Sequence, residues 1–189
     1  PTRRSSDLVL PDVITFAGNG EPTASPAFPE AIRGAVRLRD ELAPSAKIAV
    51  LSNGTRAAVP EVRDALMLVD DNILKLDTVD ADYIALLDRP VGAYDVERQV
   101  EAFASFGGHV IVQTIFLTGS VDGVSVDNTG EKYVGPWLEA LRHIGPEAVT
   151  IYTVARETPV EGLSKAAPEV LDAIAERVSA LGIRCTVSY

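Results

Sequence analysis

The sequence is poor in the residue types that bind metals and form disulfides. It contains one cysteine, Cys185, and two histidines, His109 and His143, among 189 residues. One cysteine cannot form an intramolecular disulfide, and so few soft ligands argue against a zinc site or an iron-sulfur cluster held by this chain alone. The absence of a disulfide framework fits a reducing compartment, so we expect a cytoplasmic protein.

Positive charge and long apolar runs are also scarce. Lys and Arg number 17 against 27 Asp and Glu, which gives a formal net charge of −10. Because nucleic acids are bound through clustered Lys and Arg, this balance does not indicate a nucleic-acid partner and favours a small molecule. No apolar run approaches the roughly 20 residues that a membrane-spanning helix needs, so no membrane partner is predicted.

The first eight residues differ in character from the rest of the chain. The stretch "PTRRSSDL" is basic and polar, and it reads as the in-frame translation of a common sequencing-library adapter. We therefore expect residues 1–8 to be an artefact and the domain to occupy residues 9–189. On this interpretation the natural protein begins earlier, and a segment before Val9 is missing.

From Val9 onward, short apolar runs alternate with amphipathic stretches about every thirty residues, a rhythm typical of β/α units. Strands are predicted at 12–17, 47–52, 72–77, 109–116, 148–154 and 183–188. Helices are predicted at 28–42, 59–69, 94–107, 130–145 and 167–182, with Pro136 at a late helix start or a kink and a short helix near 80–87. This pattern predicts a parallel sheet, either open and doubly wound or barrel-like, with the site at the carboxyl ends of the strands.

The first strand is followed by an unusual turn made of Gly18, Asn19, Gly20 and Glu21. Glycines let the backbone come close to a small ligand, and a carboxylate directly behind them is suited to receive an ammonium group. The turn is not a dinucleotide fingerprint, because Thr23 stands where the third glycine of G-x-G-x-x-G would be. A plain strand-to-helix turn stays open as the alternative.

Polar residues also follow or interrupt the later strands. Ser52 and Asn53 end the second strand, where they are either small donors at the site or part of an ordinary turn. Asp77 ends the third strand on the same face as Lys75, so it either forms a salt bridge with that lysine or accepts from sugar hydroxyls. Gln113 and Thr114 interrupt an apolar strand, and we expect one of them to face the interior and find a ligand or a core partner.

Taken together, "TFAGNGEPT", "LSNGT", "ILKLD", "VQTIFLTG", "DNTGE" and "IYTVARETPVEGL" resemble the radical S-adenosylmethionine (SAM) enzymes, in the Fe-S oxidoreductase branch similar to the tRNA wybutosine-synthesis enzymes. The resemblance implies a partial (β/α)6 TIM-like barrel with SAM lying across the strand ends. It places the methionine amino group at the glycine-acid turn, the methionine part near the end of the second strand and the ribose near Asp77. The implied SAM-binding residues are Gly18, Asn19, Gly20, Glu21, Ser52, Asn53 and Asp77, with Gln113, Thr114, Tyr152 and Thr153 on the adenosine or substrate side.

The resemblance has one large departure. Members of this family carry a C-x3-C-x2-C loop that ligates a [4Fe-4S] cluster, whereas this chain has only Cys185. We expect the first βα unit to be missing and the chain alone to be inactive. The resemblance implies that the intact protein, supplied by an external electron donor, reductively cleaves SAM to a 5′-deoxyadenosyl radical that abstracts hydrogen from an unknown substrate.

Two other functions stay open at this point. One is a non-catalytic barrel that binds SAM or a nucleotide. The other is a barrel lyase or aldolase in which Glu21 and Lys75 act as acid-base residues.

Overall fold

The computed structural model describes residues 10–18, 20–155 and 161–189. These residues form nine strands: β1 (Val13–Phe16), β2 (Lys47–Ser52), β3 (Asp71–Lys75), β4 (Ile111–Ile115), β5 (Leu117–Val121), β6 (Val124–Ser125), β7 (Ala148–Tyr152), β8 (Leu163–Lys165) and β9 (Arg184–Ser188). The helices are α1 (Phe28–Leu42), α2 (Pro60–Leu66), α3 (Ala81–Tyr83), α4 (Val96–Ala104), α5 (Glu131–Ile144) and α6 (Pro168–Ala180). The expectation for residues 1–8 lies outside the described residues, as does Asn19.

Six strands form one parallel sheet in the order β1-β2-β3-β4-β7-β9, which is also their order along the chain. In a doubly wound sheet the direction of strand addition reverses, whereas here each crossover continues the same way. Right-handed crossovers that continue in one direction put their helices on one side of the sheet. The predicted parallel, barrel-like α/β fold is confirmed, and the sheet is open because β1 and β9 each pair with a single neighbour among the described residues.

The main core lies between these helices and one face of the sheet. Alternate strand residues pack there against the helices, and they include Ile48, Val50, Leu74, Val112 and Ile151 from the strands and Ile32, Phe103, Trp137 and Leu171 from the helices. The opposite face, which we call the inner face, carries the intervening strand residues, such as Leu51, Ile73, Lys75, Gln113 and Tyr152, and all five are partly exposed. Strand parity therefore decides which side chains can reach a ligand on the inner face.

A second, antiparallel sheet with the order β6-β5-β8 follows the ends of β4 and β7. A two-residue turn, Asp122 and Gly123, joins β5 to β6. Both residues have a positive φ, which a hairpin turn that matches the strand twist requires. Leu117 and Val121 pack with Tyr83 in a small separate cluster. The sequence analysis did not predict this sheet.

Two helical predictions need correction or completion. Helix α5 begins at Glu131, and the N–H groups of Tyr133 and Val134 both donate to the carbonyl of Gly130, so a late start at Pro136 is wrong. The ambiguous stretch around 80–87 forms α3 and then a single π-helical turn over Ile84–Asp88. No helix in the described ranges combines the length and apolar character needed to cross a membrane.

Candidate functional site

A cleft of about 810 Å³ opens at the carboxyl ends of β1, β2 and β3. This volume is within the range of small-molecule pockets. Glu21 and Asn53, from the loops after β1 and β2, form what we call the strand-end wall. The segment from Asp88 to Gln99 lines the cleft as well, and we call it the segment wall. Lys75 and Asp77, at the end of β3, also line the cleft, so it lies at the edge of the sheet that strand direction predicts.

Glu21 joins the ends of β1 and β2 through its carboxylate. Oε1 accepts from the N–H of Thr23 at 3.0 Å, from Oγ1 of Thr23 at 2.5 Å and from Oγ of Ser52 at 2.7 Å, while Oε2 accepts from the N–H of Asn53 at 2.8 Å. Partial burial acts to raise the pKa of Glu21, but these hydrogen bonds outweigh it and leave the pKa below its ordinary value. Oε1 is saturated, whereas Oε2 has one donor and can accept another.

The glycines of this turn have free space beside them. A Cβ placed on Gly18 or Gly20 would meet no atom of the described residues within 4 Å, and neither glycine has a positive φ. The backbone conformation therefore does not require glycine at either position, and the space beside both is free for a ligand.

Gly54, in the loop after β2, is a different case. Its φ is +73°, and an added Cβ would lie 2.4 Å from Cζ of Phe103 and 2.7 Å from Nε2 of Gln99. Helix α4 packs directly against this glycine, and Gln99 donates to the carbonyl of Asn53 at 2.9 Å. Glycine is thus required where α4 closes over the end of β2, a constraint that the sequence analysis did not identify.

The side-chain polar groups of Ser52 and Asn53 form most of their hydrogen bonds within the loops after β1 and β2. Oγ of Ser52 donates to Glu21 and accepts from the N–H of Gly54 at 3.0 Å. Oδ1 of Asn53 accepts from the N–H and the hydroxyl of Thr55, at 3.0 and 2.7 Å. The structure brings Glu21, Ser52 and Asn53 together, and Asn53 also lines the cleft.

Asp77 has protein partners for both carboxylate oxygens. Its Oδ2 lies 2.7 Å from Nζ of Lys75, and its Oδ1 accepts from the N–H of Ile115 at 3.0 Å. Burial raises the pKa of Asp77, and although burial of Lys75 acts to lower the pKa of the ammonium, the Asp77 carboxylate outweighs it and raises that pKa. The salt bridge is therefore present, and the role toward ribose hydroxyls stays a prediction.

Strand parity places the remaining predicted site residues on two opposite faces of the sheet. Gln113 and Tyr152 lie on the inner face, whereas Thr114 and Thr153 are buried on the helix side. The hydroxyl of Thr114 donates to the carbonyl of Leu76 at 2.8 Å, and that of Thr153 accepts from the N–H of Ala166 at 2.9 Å. The structure does not bring these two threonines to the cleft, because their polar atoms complete hydrogen bonds inside the fold.

The sequence analysis missed the segment wall. Asp88 ends the π-helical turn, which the N–H of Arg89 closes by donating to the carbonyl of Ile84 at 3.0 Å. The side chain of Asp88 is exposed to solvent, yet partial desolvation by the surrounding cleft walls and the nearby Asp77 raise its pKa to about 6. Burial raises the pKa of Tyr94 to about 12. Nothing in "LLDRPVGAYD" indicates that these side chains share a cleft with Glu21.

The described residues do not fit an iron-sulfur cluster. No group of three His, Cys, Asp or Glu side chains among them could hold a metal ion. Cys185 lies on β9, at the far edge of the sheet from the cleft, and burial raises the pKa of its thiol to about 11. No part of the site's chemistry is therefore assigned to a cluster held by this chain.

Comparison with curated proteins finds partial matches. No protein-family model matches the chain. Over 154 residues the chain is 30% identical to the UPF0026 protein slr1464 of Synechocystis, covering 79% of this chain and 53% of that protein. It is also 25% identical over 154 residues to the GTPase Obg of Brachyspira hyodysenteriae, covering 79% of this chain but 21% of that protein. The chain thus spans about half of the first relative and about a fifth of the second.

Solved structures match over nearly the whole chain. A domain of pyruvate-formate lyase-activating enzyme from Bacteroides vulgatus has a TM-score of 0.66 at 17% identity, covering 93% of this chain and 98% of that one. A radical SAM methyltransferase from Sphaerobacter thermophilus has a TM-score of 0.68 at 22% identity, covering 94% of this chain and 51% of that one. SuiB of Streptococcus suis bound to S-adenosylmethionine has a TM-score of 0.64 at 10% identity, covering 94% of this chain and 39% of that one. The chain therefore shares its fold with radical SAM enzymes.

Proposed function

We propose that this chain is the SAM-binding part of a radical SAM enzyme. The observation that carries the proposal is the Glu21 carboxylate, which donors from two strand ends hold at the cleft while Oε2 keeps capacity for another donor. An ionised, preoriented acceptor of this kind suits the amino group of SAM. The fold shared with radical SAM enzymes, among them a structure bound to SAM, supports the same assignment.

Each part of SAM can be assigned to a part of the cleft. The ammonium group would donate to Oε2 of Glu21, beside the free space at Gly18 and Gly20. The methionine part would lie along Asn53, and the ribose hydroxyls would reach the Lys75–Asp77 pair at the end of β3. These residues bind and orient the cofactor, and the chemistry itself belongs to the cofactors.

The cluster of such an enzyme must come from outside these 189 residues. The chain has one cysteine, and it spans about half of the Synechocystis relative. We propose that a C-x3-C-x2-C loop adjoins this chain in the natural protein, that an external reductant supplies the electron, and that the protein works in the cytoplasm as a member of the branch similar to the wybutosine-synthesis enzymes. Reading the adjoining coding sequence tests this, and an adjoining sequence without such cysteines favours the non-catalytic binding barrel.

The charge states of Glu21 and Lys75 oppose the lyase or aldolase alternative. A general acid at neutral pH needs a raised carboxyl pKa and a lysine base needs a lowered one. The pKa of Glu21 is lowered and that of Lys75 is raised. Both groups therefore stay charged near pH 7, which suits binding and not proton transfer.

Calorimetric titration of SAM into wild type, Glu21→Gln and the matched control Glu30→Gln tests the proposal. Glu30 is an exposed carboxylate on the first turn of α1, away from the cleft. Loss of one charge-assisted hydrogen bond, worth about 1.5 to 3 kcal/mol, predicts affinity at least about tenfold weaker in Glu21→Gln and unchanged in Glu30→Gln. Equal SAM affinity in a Glu21→Gln protein with wild-type circular dichroism would refute the assignment.

A further inference from the structure

Asn128 is a buried polar side chain to which no role has been assigned so far. It belongs to the stretch "DNTGE" before α5, and its exposed fraction is 0%. Its Oδ1 accepts from the N–H of Leu117 at 2.9 Å, while its Nδ2 donates to the carbonyl of Ile115 at 2.8 Å and to that of Asp77 at 3.4 Å. Because one partner is a donor and two are acceptors, a single orientation of the amide satisfies all three.

The hydrogen-bond ladder between β3 and β4 ends where Asn128 binds. Its last backbone bond in this part of the described chain runs from the N–H of Leu76 to the carbonyl of Gln113 at 3.0 Å. If the parallel pattern continued, the N–H of Ile115 would donate to the carbonyl of Leu76. It donates instead to Oδ1 of Asp77 at 3.0 Å. The Asp77 carboxylate therefore takes the place of a backbone carbonyl.

Buried side chains satisfy the carbonyls beyond the end of the ladder. The carbonyl of Leu76 accepts from the hydroxyl of Thr114 at 2.8 Å and from Nε1 of Trp137 at 3.2 Å. The carbonyls of Asp77 and Ile115 both accept from Nδ2 of Asn128. One amide group thus bridges the ends of β3 and β4.

The bridge bears directly on where the Asp77 carboxylate lies. The backbone of Asp77 sets where its side chain begins and the N–H of Ile115 holds its Oδ1, and Asn128 bonds to the carbonyl of both residues. The other oxygen, Oδ2, lies 2.7 Å from Nζ of Lys75, and both members of this salt bridge line the cleft. Binding groups that buried neighbours hold to within about 0.5 Å are preorganised for a ligand.

We propose that Asn128 is a positioning residue that holds the Asp77 carboxylate where the hydroxyl groups of a bound nucleoside meet it. That Asp77 meets ribose hydroxyls rests on the proposed function, whereas the hold of Asn128 on Asp77 does not. Because Asn128 is buried, it acts through Ile115 and Asp77 and not by contact with the ligand. A stabilising role alone would also account for a buried amide, so the decisive measurements are those that a loss of stability leaves unchanged.

Asn72 provides a matched control at the opposite end of the same two strands. It is an asparagine on β3 with an exposed fraction of 2%, and its Nδ2 donates to the carbonyl of His109, just before β4, at 3.0 Å. Asn72→Ala therefore removes a buried side-chain-to-backbone hydrogen bond at the amino ends of the strands, away from the cleft.

Hydrogen exchange at the amide of Ile115, followed by NMR, tests the hold on Asp77 without any ligand. The variants are Asn128→Ala and Asn128→Ser, of which the serine keeps a small hydroxyl and disturbs the fold less. Loss of the bridge predicts exchange at Ile115 at least about tenfold faster, relative to the amide of Val112 in the middle of β4, in both variants and not in Asn72→Ala. An unchanged ratio between these two amides in Asn128→Ser overturns the proposal.

Adenosine and 2′,3′-dideoxyadenosine, which differ only in their ribose hydroxyls, test the consequence for binding by calorimetric titration. We expect wild type and Asn72→Ala to bind adenosine at least about fivefold more tightly than the dideoxy compound, because hydrogen bonds to a charged group are worth about 1.5 to 3 kcal/mol. This preference should fall below about twofold in Asn128→Ser and in Asp77→Asn, with no further fall in the double variant. A loss of stability alone would weaken both ligands equally. A wild-type preference in Asn128→Ser, or no preference in wild type, overturns the proposal.

SAM binding to wild type separates this proposal from the proposed function. Absence of SAM and adenosine binding, together with faster exchange at Ile115 in the Asn128 variants, counts against the proposed function alone. SAM binding in a protein whose Ile115 exchange and nucleoside preference do not depend on Asn128 counts against the positioning role alone.

Discussion

The strand-end wall and the segment wall hold their carboxylates in opposite ways. Glu21 is fixed by four hydrogen bonds from the loops after two parallel strands, and these lower its pKa. Asp88 is placed by a π-helical turn, has no partner among the described residues and has a raised pKa. The fold thus stabilises one carboxylate as an anion and leaves the other exposed to solvent.

The two walls therefore differ in how far they are preorganised for a ligand. An ionised acceptor that several donors hold in place, and that keeps one oxygen open to a further donor, is preorganised for an invariable group, as a cofactor provides. The Lys75–Asp77 pair at the end of β3 is an intermediate case. Its two charges neutralise each other in a salt bridge, and both residues still line the cleft.

Removing Lys75 should produce the largest effect of the changes considered. Lys75→Met leaves the Asp77 carboxylate, whose side chain is 5% exposed, without its cation. Loss of one partner of a buried pair predicts destabilisation of about 3 kcal/mol in urea unfolding. Adding Asp77→Asn should recover more than half of that loss, and a double variant no more stable than Lys75→Met would mean that the pair is not what stabilises the end of β3.

Replacing Gly54 tests the packing of the strand-end wall against α4. Gly54→Ala puts a Cβ 2.4 Å from the Phe103 ring at a positive φ, which predicts a loss of about 2 to 3 kcal/mol. Gly34→Ala is the matched control, because the added Cβ meets no described atom within 4 Å outside the backbone of α1, and it should gain up to about 1 kcal/mol. Urea unfolding that shows equal stability for both variants would contradict the close approach of α4.

The parallel sheet was well predicted because its strands and the helices between them leave local patterns in the sequence. The run "KIAVLS" matches β2 residue for residue, and Pro29 and Pro60 mark helix starts close to where α1 and α2 begin. The antiparallel sheet was missed because β6 and β8 have only two and three residues, and because β5 contains Gly119 and pairs with β8 more than forty residues away. Pairing between distant short strands leaves no local pattern in the sequence.

The site was predictable where strand direction alone decides position. Glu21 and Ser52 meet because the carboxyl ends of neighbouring parallel strands share one edge of the sheet. Thr114 depends on the parity of its strand, which the run "VIVQTIF" does not reveal because both faces read as apolar. Asp88 and Tyr94 depend on how the segment after α3 folds back over the cleft, and that path is set by tertiary packing.

The smallest expected effect is a difference in pH response between the two walls. The folded-state pKa of Glu21 lies below its ordinary value of 4.5, so its contribution to stability is present above that value and is lost as the pH falls through the folded pKa. The folded-state pKa of Asp88 is raised to about 6, so its contribution is present below about pH 4 and is lost as the pH rises through 6. The two carboxylates therefore change the free energy of unfolding in opposite directions and in separate pH windows.

Urea unfolding between pH 3 and pH 8 measures this contrast in wild type, Glu21→Gln and Asp88→Asn. We expect the stability difference between wild type and Glu21→Gln to shrink as the pH falls below 4.5 and through the folded-state pKa of Glu21. The difference between wild type and Asp88→Asn should change mainly between pH 4 and pH 7, and by less, because Asp88 is exposed to solvent. If both variants follow wild type in parallel across the whole range, the two walls do not hold their carboxylates differently, and the contrast between them loses its physical basis.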